Sequence, residues 1–168
     1  NEEGGMIDDL IVTKLSDSKF FAVVNGACKD KDIAWFKQHL PSGITLTHHE
    51  DRALIALQGP KAEKVLHEAL EIDASDLNYM RYMKFGGRCW VSRLGYTGED
   101  GFEISMPVED ASTAWNRLMA HDDVKAIGSR SLFSGFLPDR SRAGAVSPNQ
   151  VFHPPMKRHQ FRQRASQR

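Results

Sequence analysis

Apolar positions in the first 130 residues recur with two different periods. "LIVTKL" (10–15) and "FFAVVN" (20–25) are short runs rich in β-branched and aromatic residues, and the "SDSK" between them predicts a hairpin. "KDKDIAWFKQHL" sets Ile33, Phe36, Lys37 and Leu40 at helical spacing and stops before Pro41 and Gly43, which predicts a helix. "ITLTH" (44–48) and "ALIALQ" (53–58) read as strands. In "GPKAEKVLHEAL", Pro60 stands near a first helical turn, and Val65, Leu66, Ala69 and Leu70 share one side. "RCWVSRL" and "GFEISM" read as a strand pair, and "VEDASTAWNRLMAH" puts Ala111, Ala114, Trp115 and Leu118 on one helical stripe. Hairpins recur where a doubly wound fold would alternate strand and helix strictly. The fold class is therefore α+β, with an antiparallel or mixed sheet and covering helices.

Composition adds a boundary to this picture. The net charge of zero conceals a division: residues 131–168 hold seven Lys/Arg and one acid, Asp139, leaving fifteen bases and twenty-one acids before them. Four of the seven prolines also fall there, and no helical or alternating apolar pattern does. We expect a folded domain over 1–130 and a divergent, basic, disordered tail over 131–168. The basic tail lacks an aromatic platform, so no nucleic-acid partner is expected. No run approaches the length of a membrane span, and Cys28 and Cys89 are expected to be two reduced, partly buried thiols. A first residue of Asn1 leads us to expect a piece of a longer protein.

The chemistry concentrates in "SRLGYTGEDGFEI" (92–104). Gly95, Gly98 and Gly101 suit a tight connection between strands, and a purely structural hairpin needs no ligand. A phosphate loop is excluded, because Glu99 and Asp100 would repel the anion and a strand follows where a helix N-terminus is required. A third reading lets the backbone approach a heterocycle. Alternation in "GFEISM" sets Phe102, Ile104 and Met106 on one face and Glu103 with Ser105 on the other. A carboxylate at Glu103 accepts two parallel hydrogen bonds, which matches the N–H and NH₂ edge of a pterin or guanine, and Tyr96 can offer a ring or a hydroxyl.

Asp8 and Asp9 precede a strand in "GGMIDDLIV", so adjacent side chains turn to opposite sides and one can face inward. An inward carboxylate needs a partner, and suits proton handling or support of a cation; a solvated turn is the structural alternative. Asn25, ending "FAVVN", can donate and accept beside a ligand, or serve only in a turn. The histidines lack metal-ligand spacing, and no nucleophilic triad has a local signature. No metal is expected.

Taken together, "GGMIDDLIV", "FFAVVNGACKDKDIAW", "ALIALQGPKAEKVL" and "SRLGYTGEDGFEISMP" resemble the aminomethyltransferase, or T-protein, family of the glycine cleavage system. The resemblance runs over residues 1 to about 130, and "GYTGEDGFE" is its most specific part. It implies the central folate-binding part of that fold, and transfer of a one-carbon unit from the aminomethyl-lipoyl arm of the H-protein to tetrahydrofolate. Ammonia and 5,10-methylenetetrahydrofolate are the products. By motif position, Asp9 resembles the aspartate beside the reacting folate nitrogens. Asn25, Tyr79 and Tyr96 resemble residues lining the folate, Glu103 the glutamate on the pterin edge, and Arg130 an arginine on the folate tail. Met80 replaces an aromatic found in some members, and Thr13 a tyrosine. The implied partner is the lipoylated H-protein, with a monomeric state, no membrane, and a bacterial cytoplasm or mitochondrial matrix.

Two departures accompany the resemblance. The residues that precede "GG-x-x-DD" in the family are not in this chain, and after Arg130 the expected "GARDxLRLEAG" gives way to "SLFSGFLPDRSRAGAVS". A changed reading frame or a splice variant would account for the second, and such a chain is expected to turn over little alone. The alternative is a non-enzymatic folate-binding relative of the iron-sulfur maintenance type, which would keep the pterin site and have no need of Asp9.

Overall fold

The computed structural model describes residues 1–95, 99–127 and the backbone of 143–146. Two compact units divide the chain, 1–49 and 50–168.

The first unit is a hairpin and a helix. Strands β1 (Ile11–Ser16) and β2 (Lys19–Val23) pair antiparallel from Ile11 opposite Val23 to Ser16 opposite Lys19, with an irregularity between Lys14 and Ser16. Helix α1 (Lys29–His39) carries Asp30 and Asp32 in its first turn and Lys37 and His39 in its last, complementing the helix dipole. It ends where Pro41 forces Leu40 into extended backbone, ψ 134°. Only Val24 and Asp32 are buried in this unit, while Met6, Val12, Phe20, Trp35, Ile44 and Leu46 are exposed. The strand expected at 44–48 does not form. "ITLTH" has β-prone residues but no neighbouring strand to satisfy its backbone, and propensity alone does not hold a strand.

The second unit is a six-stranded sheet covered by two helices. Its elements are β3 (Arg52–Gln58), α2 (Ala62–Leu70), β4 (Tyr82–Phe85), β5 (Cys89–Arg93), β6 (Gly101–Pro107), α3 (Val108–Met119), β7 (Val124–Ile127) and β8 (Ala143–Val146). The strand order is β4-β5-β6-β3-β8-β7; β7 and β8 run parallel and every other pair antiparallel. The sheet is thus mixed and the fold α+β. Val65, Leu66 and Ala69 of α2 and Leu118 of α3 pack with Ile55, Leu57, Val91, Phe102 and Ile104 as one core. Phe102, Ile104 and Met106 face that core, as the alternation predicts.

Sequence reading missed three strands. β4 closes on β5 through the three residues Gly86, Gly87 and Arg88, the two glycines at positive φ (57° and 73°) as a tight hairpin connection favours, and this Gly-Gly signal was legible. β7 is too short for a period to register. β8 lies inside the basic tail and pairs with β3 from Ala56 opposite Val146 to Gln58 opposite Gly144. "AGAV" is apolar yet too small to carry an alternating pattern, so only its partners identify it. The remainder of the tail, 131–142 and 147–168, lies outside the described residues. Among the described residues no helix is long and apolar enough to cross a membrane. Cys28 and Cys89 are free thiols, both half-buried.

Candidate functional site

In the first unit the functional side chains gather where the segment before β1 passes the end of β2. Asn25 donates from Nδ2 to Asp8 Oδ1 at 2.9 Å and to the Asp9 carbonyl at 2.9 Å, and its backbone N–H points to Asp8 Oδ2 at 3.4 Å. Both amide hydrogens are used, so Asn25 presents Oδ1 as an acceptor. Asp8 is half-buried and Asp9 exposed, the one-in, one-out division that adjacent side chains adopt. The hydrogen bond from Asn25 holds the Asp8 carboxyl down at about 2. Asp32 opposes it: burial first, and the neighbouring Asp8 second, push its carboxyl up. Lys31 Nζ ties the Ile7 carbonyl at 2.7 Å, so this segment is held to α1 by a cation as well.

In the second unit, Glu103 sits mid-strand on β6, opposite Ala56 of β3 and Ser92 of β5. Its side chain occupies the face turned away from α2 and α3, and it is buried, 6% exposed. Burial pushes its carboxyl up to about 7. Among the described residues no hydrogen bond or ion pair meets it. A buried carboxyl with nothing to pair it is held at a cost of several kcal/mol in general, which marks the position as one kept for something other than stability.

The connection from β5 to β6 is braced from outside. Arg93 grips Asp100 bidentately, Nε to Oδ1 at 2.9 Å and Nη2 to Oδ2 at 2.6 Å, donates to the Leu77 carbonyl at 3.1 Å, and pairs with Glu63 at 2.9 Å. Gln58, buried on β3, donates from Nε2 to the Leu94 carbonyl at 3.3 Å across the same connection. Tyr79 is exposed, and its ring lies so close to Gly95 that a Cβ there would stand 3.3 Å from Cε2 and 3.0 Å from the Glu99 carbonyl. Gly95 therefore lets the Tyr79 ring approach the backbone. Met80 follows at φ 60°, a left-handed conformation that a non-glycine residue adopts at a cost.

Of the residues expected at a site, Asp9 and Asn25 are brought together in the first unit, and Tyr79 and Glu103 both belong to the second. Tyr96 and Arg130 lie outside the described residues. Sequence reading did not single out Asp32 or Arg93. Asp32 looks like an ordinary first-turn acid, and nothing local distinguishes it; Arg93 and Asp100 are seven apart on opposite ends of a connection, and only the hairpin joins them. Among the described residues no group of His, Cys, Asp and Glu could hold a metal ion.

Comparison with known proteins places these features in a wider setting. Residues 1–134 match the GCVT N-terminal domain family. An aminomethyltransferase of Clostridium botulinum (strain Okra / Type B1) is 41% identical over 125 residues, covering 71% of this chain and 34% of the relative. A mitochondrial aminomethyltransferase of Pisum sativum is 43% identical over 118 residues, 65% of this chain and 29% of its own length. The crystal structure of glycine cleavage system aminomethyltransferase T from Bartonella henselae superposes with a TM-score of 0.62 at 35% identity, over 71% of this chain and 33% of that one. The chain spans about a third of the length of the relatives it matches.

Proposed function

The chain belongs to the GCVT N-terminal domain family, and from that premise we propose that it contributes a tetrahydrofolate-binding part to an aminomethyltransferase of glycine cleavage. The observation that carries the proposal is the buried Glu103 carboxyl, unpaired among the described residues, at the end of the "GYTGEDGFE" segment that carries the family resemblance. A pterin edge offers the N–H and NH₂ pair that would meet both oxygens and favour the ionised form.

The remaining roles follow the motif positions. Asp9, exposed and unburdened by the hydrogen bonds that Asp8 receives, is available to accept a proton at the reacting nitrogens and to offset the positive charge that develops there. Asn25 offers Oδ1 to an N–H of the folate. Tyr79, and Tyr96 and Arg130 outside the described residues, contribute contacts to the heterocycle and the tail. The one-carbon unit would arrive on the lipoyl arm of an H-protein. Ammonia would leave and 5,10-methylenetetrahydrofolate would form, in a bacterial cytoplasm or a mitochondrial matrix. Positioning of two substrates needs more walls than one part of the protein supplies, so turnover by this chain alone is expected to be slight.

Calorimetry of tetrahydrofolate binding to the full chain tests the reading, with Glu103→Ala and Asp9→Ala alongside. Binding abolished by Glu103→Ala and retained by Asp9→Ala supports it. Binding indifferent to Glu103→Ala refutes the pterin role.

A further inference from the structure

Among the described residues two charged side chains are buried, Glu103 and Asp32. Asp32 is the more enclosed, 3% exposed, and its Oδ2 has no hydrogen-bond partner. Its backbone N–H is already spent on the Cys28 carbonyl at 2.9 Å as α1 begins. The side chain does not cap the helix; its carboxyl meets the carboxyl of Asp8. The charged groups facing it are Asp8, from the segment before β1, and Lys31 on its own helix, whose Nζ is bound to the Ile7 carbonyl.

Two carboxyls in contact, one of them buried and the other half-buried, do not both ionise without strong repulsion. The one with donors around it keeps its charge, and here that is Asp8, which receives the Asn25 amide. We propose that Asp32 is a positioning residue: it retains a proton and donates it to the Asp8 carboxylate, which thereby locks the Asn25 side-chain amide with Oδ1 free to accept. The Asn25 backbone N–H reaches the other Asp8 oxygen only at 3.4 Å, and Asp32 is the side chain of α1 that adds a further hold on it. The directions in which the two carboxyls are displaced, Asp8 down and Asp32 up, agree with one proton held between them. A ligand then meets an Asn25 that accepts and does not donate, so an N–H is selected over a carbonyl at that point. The statement about the ligand rests on the folate reading above; the proton on Asp32 and the locked amide do not.

Carbon-13 NMR of the Asp carboxyls in the full chain tests the proton directly. Asp32 is expected to stay protonated at pH values where Asp8 has already ionised; both ionising in the ordinary range overturns the proposal. The side-chain amide signals of Asn25 test the locking. Asp32→Asn keeps a donor and should leave them in place, whereas Asp32→Ala should collapse them toward averaged, solvent-like values. Unmoved signals in Asp32→Ala overturn the positioning role, and if that variant does not fold, shifted signals in Asp32→Asn do so. For tetrahydrofolate, Asp32→Asn should bind within about twofold of wild type and Asp32→Ala about tenfold more weakly. Wild-type affinity should also fall as Asp32 loses its proton at high pH, a fall absent in Asp32→Asn; parallel pH profiles overturn the proposal. A wild-type chain that binds no tetrahydrofolate refutes the folate reading, and the two NMR arms then decide the role of Asp32.

Discussion

Replacing Glu103 by Gln should change how stability depends on pH, by an amount that follows from burial. The carboxyl ordinarily ionises near 4.5 and is pushed up to about 7 in the folded chain. Below pH 4.5 it is protonated both folded and unfolded and contributes nothing. Between 4.5 and 7 the unfolded chain has released its proton while the folded chain retains it, so stability falls as pH rises through that window. Above 7 the full penalty applies, and at about 1.4 kcal/mol per pH unit it amounts to about 3 kcal/mol. Gln cannot ionise and escapes this loss. Urea unfolding of wild type and Glu103→Gln at pH 4.5 and pH 8 measures the effect. The stability of the variant relative to wild type should be about 3 kcal/mol greater at pH 8 than at pH 4.5. Any packing or hydrogen-bonding cost of the amide enters at both pH values and cancels in that comparison. An equal difference at the two pH values would refute the account of Glu103 as a carboxyl held neutral by burial.

Other perturbations probe the frame around it. Gly101→Ala would drive a methyl into the Gln58 side-chain amide, which is itself buried and hydrogen-bonded; a loss of about 1–3 kcal/mol is expected in thermal unfolding, and an unchanged midpoint would show that Gln58 moves freely. Arg93→Lys should not substitute for arginine, since an ammonium cannot grip Asp100 with two parallel bonds and still reach Leu77 and Glu63; urea unfolding should register a loss of about 1–3 kcal/mol. Leu66→Ala, at a fully buried position between α2 and the sheet, should cost about 2–5 kcal/mol. Asn25→Ala should let the Asp8 carboxyl rise from about 2 toward its ordinary range, measured by carboxyl NMR; an unmoved Asp8 would assign its low value to something other than the amide.

Much of the fold was legible because its signals are local. The β1–β2 hairpin, α1, α2, α3 and the pair β5–β6 each span a few residues whose apolar spacing fixes which face turns inward. Phe102, Ile104 and Met106 could be assigned to one side of β6, and Glu103 to the other, from alternation alone. The strand expected at 44–48 shows the limit of that method: β-prone residues announce a readiness to pair, and pairing needs a partner that local sequence does not name. β8 is the converse, a stretch without a pattern that becomes a strand because β3 and β7 offer it two edges.

The candidate site divides in the same way. Sequence alone determined which residue types are present, the family they resemble, and that a carboxylate on β6 lies opposite its apolar neighbours. Tertiary structure decided how those groups are charged. Glu103 is shifted because the strand around it is buried along its length, and Asp8 because Asn25, seventeen residues away, donates to it. Asp32 is displaced the other way because folding buries it and, second, because the helix start brings its carboxyl against that of Asp8. The reason is physical: a side chain's periodicity is a property of its own segment, whereas its solvation and its partners belong to whatever folding places around it.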